Sequence, residues 1–290
     1  MDLRALEHFV AVVDEGGFTR AAERLRVAQP GVSAQVRGLE RELGQTLFER
    51  HARGATLTPA GAAALPHARA ALAAAAAVGE SVAEVGGLLR GRLGIGILLS
   101  SNGMDMPAAL RAFRDRAPAV EVRVLEADAA TLLERVRDGG LDVAWTATSG
   151  ALPDDVTGHL VGTQPLAALV PAGHRWCRRR TVDLADLCGE PLLVVPPGGA
   201  VRGALEEACA GLGVAPRVEL EANSPALLAA LAREGHGVAV VPESFAALAE
   251  GVHALRIVRP TPTGRVSVVW RRGNPSPALR AFTGLVRART

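Results

Sequence analysis

The sequence predicts an α/β protein in two parts, a helical N-terminal segment with one hairpin and, beyond a long helix, a region of alternating strands and helices. Three observations predict it. Apolar residues recur at helical spacing as far as Leu43 and then yield to two short strand-like runs around a turn. An alanine-rich stretch from Thr58 to Val85 reads as one long helix. Everything beyond it alternates β-branched runs with helix-period segments.

Leu3, Leu6, Val10 and Val13 form an i, i+3, i+7, i+10 stripe that stops at Gly16 and Gly17, which defines a first helix. Thr19 is placed to cap a second, with Glu23 in its first turn and Ala21, Ala22 and Leu25 on its inner face. Pro30 suits a first helical position, so a third helix is predicted over 30–43. At roughly 100° per residue Val32, Val36, Leu39 and Leu43 share one face of it, while Pro30, Ala34, Arg37 and Arg41 share the other. Gly44 ends the helix, and the runs 47–50 and 55–58 bracket a turn over 51–54.

Helices, turn and hairpin in this order outline a winged helix-turn-helix that reads DNA. A helix in the major groove uses its N-terminal half for base edges, which makes Gln29, Pro30, Ser33, Ala34 and Arg37 candidates for direct readout. Arg41 lies farther along, toward phosphate or solvent. Arg50 and Arg53 stand in the wing, where they would approach the phosphate backbone or minor groove. Net charge does not carry this reading, because eight arginines in residues 1–58 are matched by eight acids; only their placement does.

Thr58 as cap and Pro59 at the first position start the long helix, which is predicted to run to about Val85 with Pro66 inside it. Leu65, Leu72, Val78, Val82 and Val85 mark a seam otherwise made of alanines. Small side chains let two such helices pack closely, so the segment reads as a dimerising helix that supplies a second DNA half-site.

Beyond it, strands are predicted at 93–99, 120–124 and 141–145, with helices near 104–116 and around Leu132, Leu133 and Val136. Further strands fall at 192–195, 217–220, 238–241, 256–258 and 266–270, with helices near 200–212, 224–235 and 277–288. Such alternation predicts a mostly parallel sheet.

The runs Phe18-Thr19-Arg20-Ala21-Ala22-Glu23-Arg24-Leu25, Gln29 to Glu40, Leu43-Gly44, Leu47-Phe48-Glu49-Arg50 and Leu57-Thr58-Pro59-Ala60-Gly61 closely resemble the DNA-binding region of LysR-type transcriptional regulators. Ala28 departs from the usual Ser that caps the reading helix, and Ala34 from a frequent Arg. Gly91 to Gly96, Gly140 to Ala144 and Gly235 to Pro242 resemble phrases of the same family's effector-binding half, a pair of lobes built like type II periplasmic binding proteins. The resemblance implies a DNA-binding domain at 1–58, a linker helix at 59–90 and an effector domain at 91–290. Within the last, lobe I would be 91–162 plus 266–290 and lobe II 166–260, with crossings around 162–165 and 260–265.

It also implies a ligand between the lobes, outside the carboxyl ends of strands. Five clusters fit that place: Ser100, Ser101 and Asn102; Asp128; Thr146 and Thr148; Gly199 with Arg202; and Asn223. The ordinary alternative for each is a helix cap or turn. The implied partners are double-stranded operator DNA, a small-molecule effector, a second copy in a dimer or tetramer and, for an activator, RNA polymerase. No cofactor is indicated.

Other classes fare worse. Cys177, Cys188 and Cys209 show no C-x-x-C spacing, so packing roles are expected; a redox sensor built on Cys177 and Cys188 stays as an alternative. A binding protein without a regulatory role would have no use for residues 1–90. No Gly-x-Ser-x-Gly, phosphate loop or metal-ligand spacing suggests an enzyme. No apolar run approaches the ~18 residues of a membrane span and no signal peptide is visible, so a cytoplasmic protein is expected. The run His174 to Arg180 is read as a solvated loop.

Overall fold

A computed structural model describes residues 1–51, 54–86, 88–98, 106–148 and 151–289, with the backbone alone at Arg50. Helix α1 (Leu3–Glu15) opens on Asp2, which accepts a hydrogen bond from the Arg4 N–H, and closes at Gly16 with φ 65°. That left-handed turn favours glycine, which has no Cβ to clash. α2 (Phe18–Leu25) starts directly after Gly17, so Thr19 lies inside the helix and is not its cap. Phe18 is drawn in because its ring packs edge-on against Phe48, 5.5 Å between centroids. α3 (Gln29–Leu43) has Pro30 in its first turn and no side-chain cap from Ala28. β1 (Phe48–His51) and β2 (Gly54–Leu57) pair antiparallel as the hairpin.

Phe9, Ala21, Val32, Val36, Leu39 and Leu47 form the core of this unit. α4 (Pro59–Val85), capped by the Thr58 hydroxyl, closes it. Here the expected seam divides: Leu65 is buried in the helix-turn-helix core and Leu72 packs half-buried against it, so neither faces a partner helix. Val78, Val82 and Val85 remain 67%, 71% and 91% exposed. By length and composition α4 could cross a membrane, with mean hydropathy 1.2 over its most apolar stretch, against the expectation that no such run exists. Alanine supplies that hydropathy, and the first half of the helix is packed on α1.

Then follow β3 (Gly91–Leu98), α5 (Met106–Arg116), β4 (Val120–Ala127), α6 (Ala129–Arg137), β5 (Val143–Thr148), β6 (Val156–Pro171), β7 (Thr181–Asp183), α7 (Leu184–Cys188) and β8 (Leu192–Val194). The chain continues through α8 (Ala200–Gly211), β9 (Val218–Glu221), α9 (Pro225–Arg233), β10 (Val238–Pro242), α10 (Glu243–Ala246), β11 (Val252–Val258), β12 (Thr263–Arg271) and α11 (Pro277–Arg287). The strands beyond the hairpin join one sheet of ten, ordered β4-β3-β5-β12-β6-β10-β8-β9, with β11 against β6 and β7 against β11.

The sheet is mixed, where a mostly parallel one was expected. β3 runs parallel to β4 and β5, and β8 parallel to β9 and β10. β12 is antiparallel to both β5 and β6, and β6 is antiparallel to β10 and β11. β6 is the strand that passes between the two halves: its residues 156–165 pair with β12, and its residues 166–171 pair with β10 and β11, while β12, entered from β11, pairs with β5 and β6.

Each half has helices on both faces. In the first, Phe113 of α5 and Phe282 of α11 meet edge-on at 5.3 Å, and Phe282 meets Trp145 at 5.4 Å, while Leu132 and Val136 of α6 cover the opposite face with Ala144. In the second, Leu166, Ala168 and Val170 of β6 face α7 and α8, and the intervening Ala167 and Leu169 face α9.

Candidate DNA interface and effector cleft

On α3 Gln29, Pro30, Ala34, Arg37 and Arg41 are exposed together. Ser33 is not with them: it is 4% exposed, on the side of Val32 and Val36, so the geometry removes it from the face open to DNA. The arginines of α2 are engaged locally, Arg20 donating to the Glu15 carbonyl at 2.6 Å and Arg24 pairing with Asp14 and Glu15 at 3.2 Å each. Burial would lower the Arg24 pKa, but its hydrogen bonds to those two carboxylates outweigh it, and the pKa is raised. The wing arginine Arg53 and the side chain of Arg50 lie outside the described residues.

A cavity of roughly 280 Å³ lies between the halves of the sheet, beside the crossing part of β6 and the start of β12. Leu98 and Ala147 line it from one half, Val195 and Pro242 from the other, and Gln164, Leu166, Gly264 and Val266 from β6 and β12. Three helices begin at its wall, α6 after Asp128, α8 after Gly199 and α9 after Asn223 and Ser224. Asp128, Gly199 and Asn223, all expected from the sequence, therefore line it.

The other expected residues do not. Arg202 is held by Glu206 at 2.6 Å and Glu221 at 2.8 Å, which satisfy its guanidinium away from the cavity. Burial alone would lower its pKa, but hydrogen bonds to the two carboxylates raise it. Thr146 is 1% exposed and opposite Ser267 of β12, and among the described residues its Oγ1 has no hydrogen-bond partner. Thr148 pairs with Arg265 at the strand end, outside the lining. Ser100, Ser101 and Asn102 lie outside the described residues.

Gln164 went unrecognised from sequence. Its Nε2 donates to the Ser244 hydroxyl, and its one signal was a place in the phrase read as a crossing. Asp128 accepts from the Thr131 N–H at 2.9 Å and its hydroxyl at 2.8 Å, and the backbone bond to Thr131 is the main cause that lowers its pKa. That carboxylate already caps α6. α8 has no side-chain cap, so the N–H groups of its first turn remain as donors beside the cavity.

The cysteine pair that the fold brings together is Cys188 with Cys209, Sγ atoms 3.0 Å apart in the core; Cys177 stands apart from it. Burial, reinforced by Cys188, pushes the Cys209 thiol up to about 12.

Residues 3–62 match the family described as "Bacterial regulatory helix-turn-helix protein, lysR family", and residues 86–290 match "LysR substrate binding domain". The chain belongs to the LysR family of transcriptional regulators. This LysR-type regulator is 33% identical over 282 residues to the HTH-type transcriptional regulator ShiR of Corynebacterium glutamicum, covering 94% of each protein. It is similar to a full-length OxyR variant of Pseudomonas aeruginosa, with TM-score 0.77 and 27% identity over 99% of this chain and 95% of that one. It is also similar to full-length CbnR in complex with its target DNA, with TM-score 0.68 and 28% identity over all of both chains. Its helix-turn-helix is a DNA-binding unit and its ten-stranded half an effector-binding domain.

Proposed function

We propose that this regulator binds operator DNA as a dimer or tetramer, and that a small metabolite in the cavity between its lobes sets the geometry of that binding. In this reading Gln29, Pro30, Ala34 and Arg37 enter the major groove, while Arg50 and Arg53 of the wing approach the backbone. The boundaries are 1–58 for the reader, 59–90 for the linker and 91–290 for the effector domain. The valines of α4 meet a second copy, RNA polymerase is met at promoters the protein activates, and all of this takes place in the cytoplasm.

The observation that carries the effector reading is the cavity between the lobes beside β6 and β12, with the N-termini of α6, α8 and α9 at its wall. Its lining suits a small, largely apolar molecule: Leu98, Leu166 and Val195 supply the apolar wall. Asn223, Gln164 and the uncapped first turn of α8 supply hydrogen bonds for one anionic or acceptor group. To act as a signal, the metabolite must bind one assembly geometry better than another. A redox reading built on Cys177 and Cys188 is disfavoured because Cys188 sits in the core beside Cys209, away from Cys177.

Thermal-shift measurements of the full chain against small metabolites test this. A ligand at a hundredfold its Kd stabilises the native state by about 2.7 kcal/mol. Asn223→Ala should weaken such a ligand by about 1–3 kcal/mol, leaving DNA binding in its absence intact. A ligand indifferent to Asn223→Ala would place the effector site elsewhere.

A further inference from the structure

We propose that Arg69 couples the effector cavity to the DNA-binding domain, with α6 as the rod between them; the proposal rests on the cavity being the effector site. Arg69 stands on α4 with its side chain 5% exposed, between two acids from different parts of the molecule. Its Nη2 donates to Oδ1 of Asp14, in the last turn of α1, at 2.5 Å. Its Nη1 lies 2.5 Å from Oδ1 of Asp138, which terminates α6. The first contact is a hydrogen bond; the second is an ion pair whose Nη1 is not aligned on any acceptor among the described residues. Removing the guanidinium would leave the Asp14 and Asp138 carboxylates without the buried cation they share.

The two ends of α6 meet different parts of the protein. At its N-terminus Asp128, Ala129 and Ala130 line the cavity; at its C-terminus Asp138 holds Arg69. Nine residues at 1.5 Å each separate those ends by about 13 Å. Leu132 and Val136 are fully buried against the sheet, so the helix moves as a body and does not bend. The approach of Arg69 is close enough that Gly139 and Gly140 are needed: a Cβ at Gly139 would lie 3.2 Å from Cβ of Arg69, and one at Gly140 2.7 Å from its Nη1. Beyond Arg69, Asp14 also holds Arg24 of α2 at 3.2 Å, which extends the charged path to the helix before α3.

A molecule pressing on the first turn of α6 thus displaces Asp138 against Arg69, and Arg69 carries the displacement to Asp14 at the base of the reading unit. The test needs no effector. Ala130→Leu adds bulk at the cavity end of α6, on an exposed residue, and hydrogen exchange is followed by mass spectrometry in the full-length chain. Exchange in α1 and α2 should change at least about fivefold, the low end of coupling between linked sites. The change should vanish in an Asp138→Asn background and in a Gly140→Ala background, where the new Cβ parts the ion pair sterically.

A response confined to the cavity would overturn the proposal, as would an α1–α2 response that persists in both backgrounds. Either result leaves the effector reading standing, because that reading fails only if metabolites bind elsewhere or not at all.

Discussion

Val82→Asp on α4 tests where the second copy of the chain attaches. Val78, Val82 and Val85 are 67%, 71% and 91% exposed, and at 100° per residue Val78 and Val82 point about 120–160° away from Glu80 and Glu84. Those two glutamates face the chain's own effector domain, Glu80 against Gly91 and Glu84 paired with Arg280 at 2.8 Å. The valine stripe is therefore the side of α4 left for a partner. Burying a valine fully contributes about 1.5 kcal/mol at the low end, so the exposed fractions of the three valines on each of two chains offer about 7 kcal/mol before the costs of association.

Val82→Asp forfeits about 2 kcal/mol of that and adds a pair of carboxylates to an apolar seam, a further penalty of several kcal/mol. The sum of about 4–7 kcal/mol raises the dimer Kd by a factor on the order of a thousand or more. Sedimentation velocity at low micromolar concentration should then show a monomer with an unchanged melting transition of its helix-turn-helix. Leu72→Asp should do the reverse, lowering that transition, because Leu72 packs into the reading unit. A Val82→Asp protein that stays dimeric, or a Leu212→Asp control, at the exposed residue that follows α8, that dissociates equally, would refute the assignment of the seam to α4.

Three further outcomes are expected. Arg37→Ala should lose about 1–3 kcal/mol on the specific operator and less on random DNA, whereas Ser33→Ala, being buried, should lower the melting temperature without relaxing base preference, as fluorescence anisotropy and calorimetry would read. Burial, and then the nearby Asp142, raises the Glu80 pKa above 4.5 despite Arg92; the native state holds that proton where the unfolded chain releases it, so its contribution is present below pH 4.5 and is lost as pH rises through the native pKa. Glu80→Gln should accordingly raise the melting temperature at neutral pH and flatten its decline above pH 4.5, and a variant less stable at pH 7 would contradict this. Iodoacetamide at pH 8 should modify Cys177 first and Cys209 only on unfolding, since the latter is fully buried with its thiol near 12; rapid native-state labelling of Cys209 would contradict that burial.

Local patterns carried most of the fold. Pro30, Gly44, Thr58 and Pro59 punctuate helices whose ends fall within a residue of expectation, because caps and breakers act on their own neighbours. β6 escaped because Gly158, Gly162 and Pro165 break its run into pieces that read as turns, while its strand character comes from partners on both edges. Ser33 sits between the apolar and polar faces of α3, so periodicity left it open and packing in the reading unit decided it.

Arg202 was legible as a cation at a helix start, but Glu221 comes from another strand and takes it away from the cavity. Asp128, Gly199 and Asn223 were legible because each precedes a helix after a strand, the positions that this architecture gathers at one place. The pairing of Cys188 with Cys209 leaves no sequence signal, since the packing of α7 on α8 sets it.

The continuity of β6 limits what the lobes can do to each other. Lobes joined by slack linkers could swing freely, but here β6 is hydrogen-bonded to β12 on one side of the passage and to β10 and β11 on the other. Relative rotation must be taken up as torsion in that ladder, concentrated where its register slips between Val266 and Ser267. A torsional element returns to its starting angle when the load is removed. The regulator should therefore answer its metabolite with a small, graded and fully reversible rotation, and inserting residues near position 165 or 263 should uncouple the lobes by slackening the ladder while leaving each lobe folded.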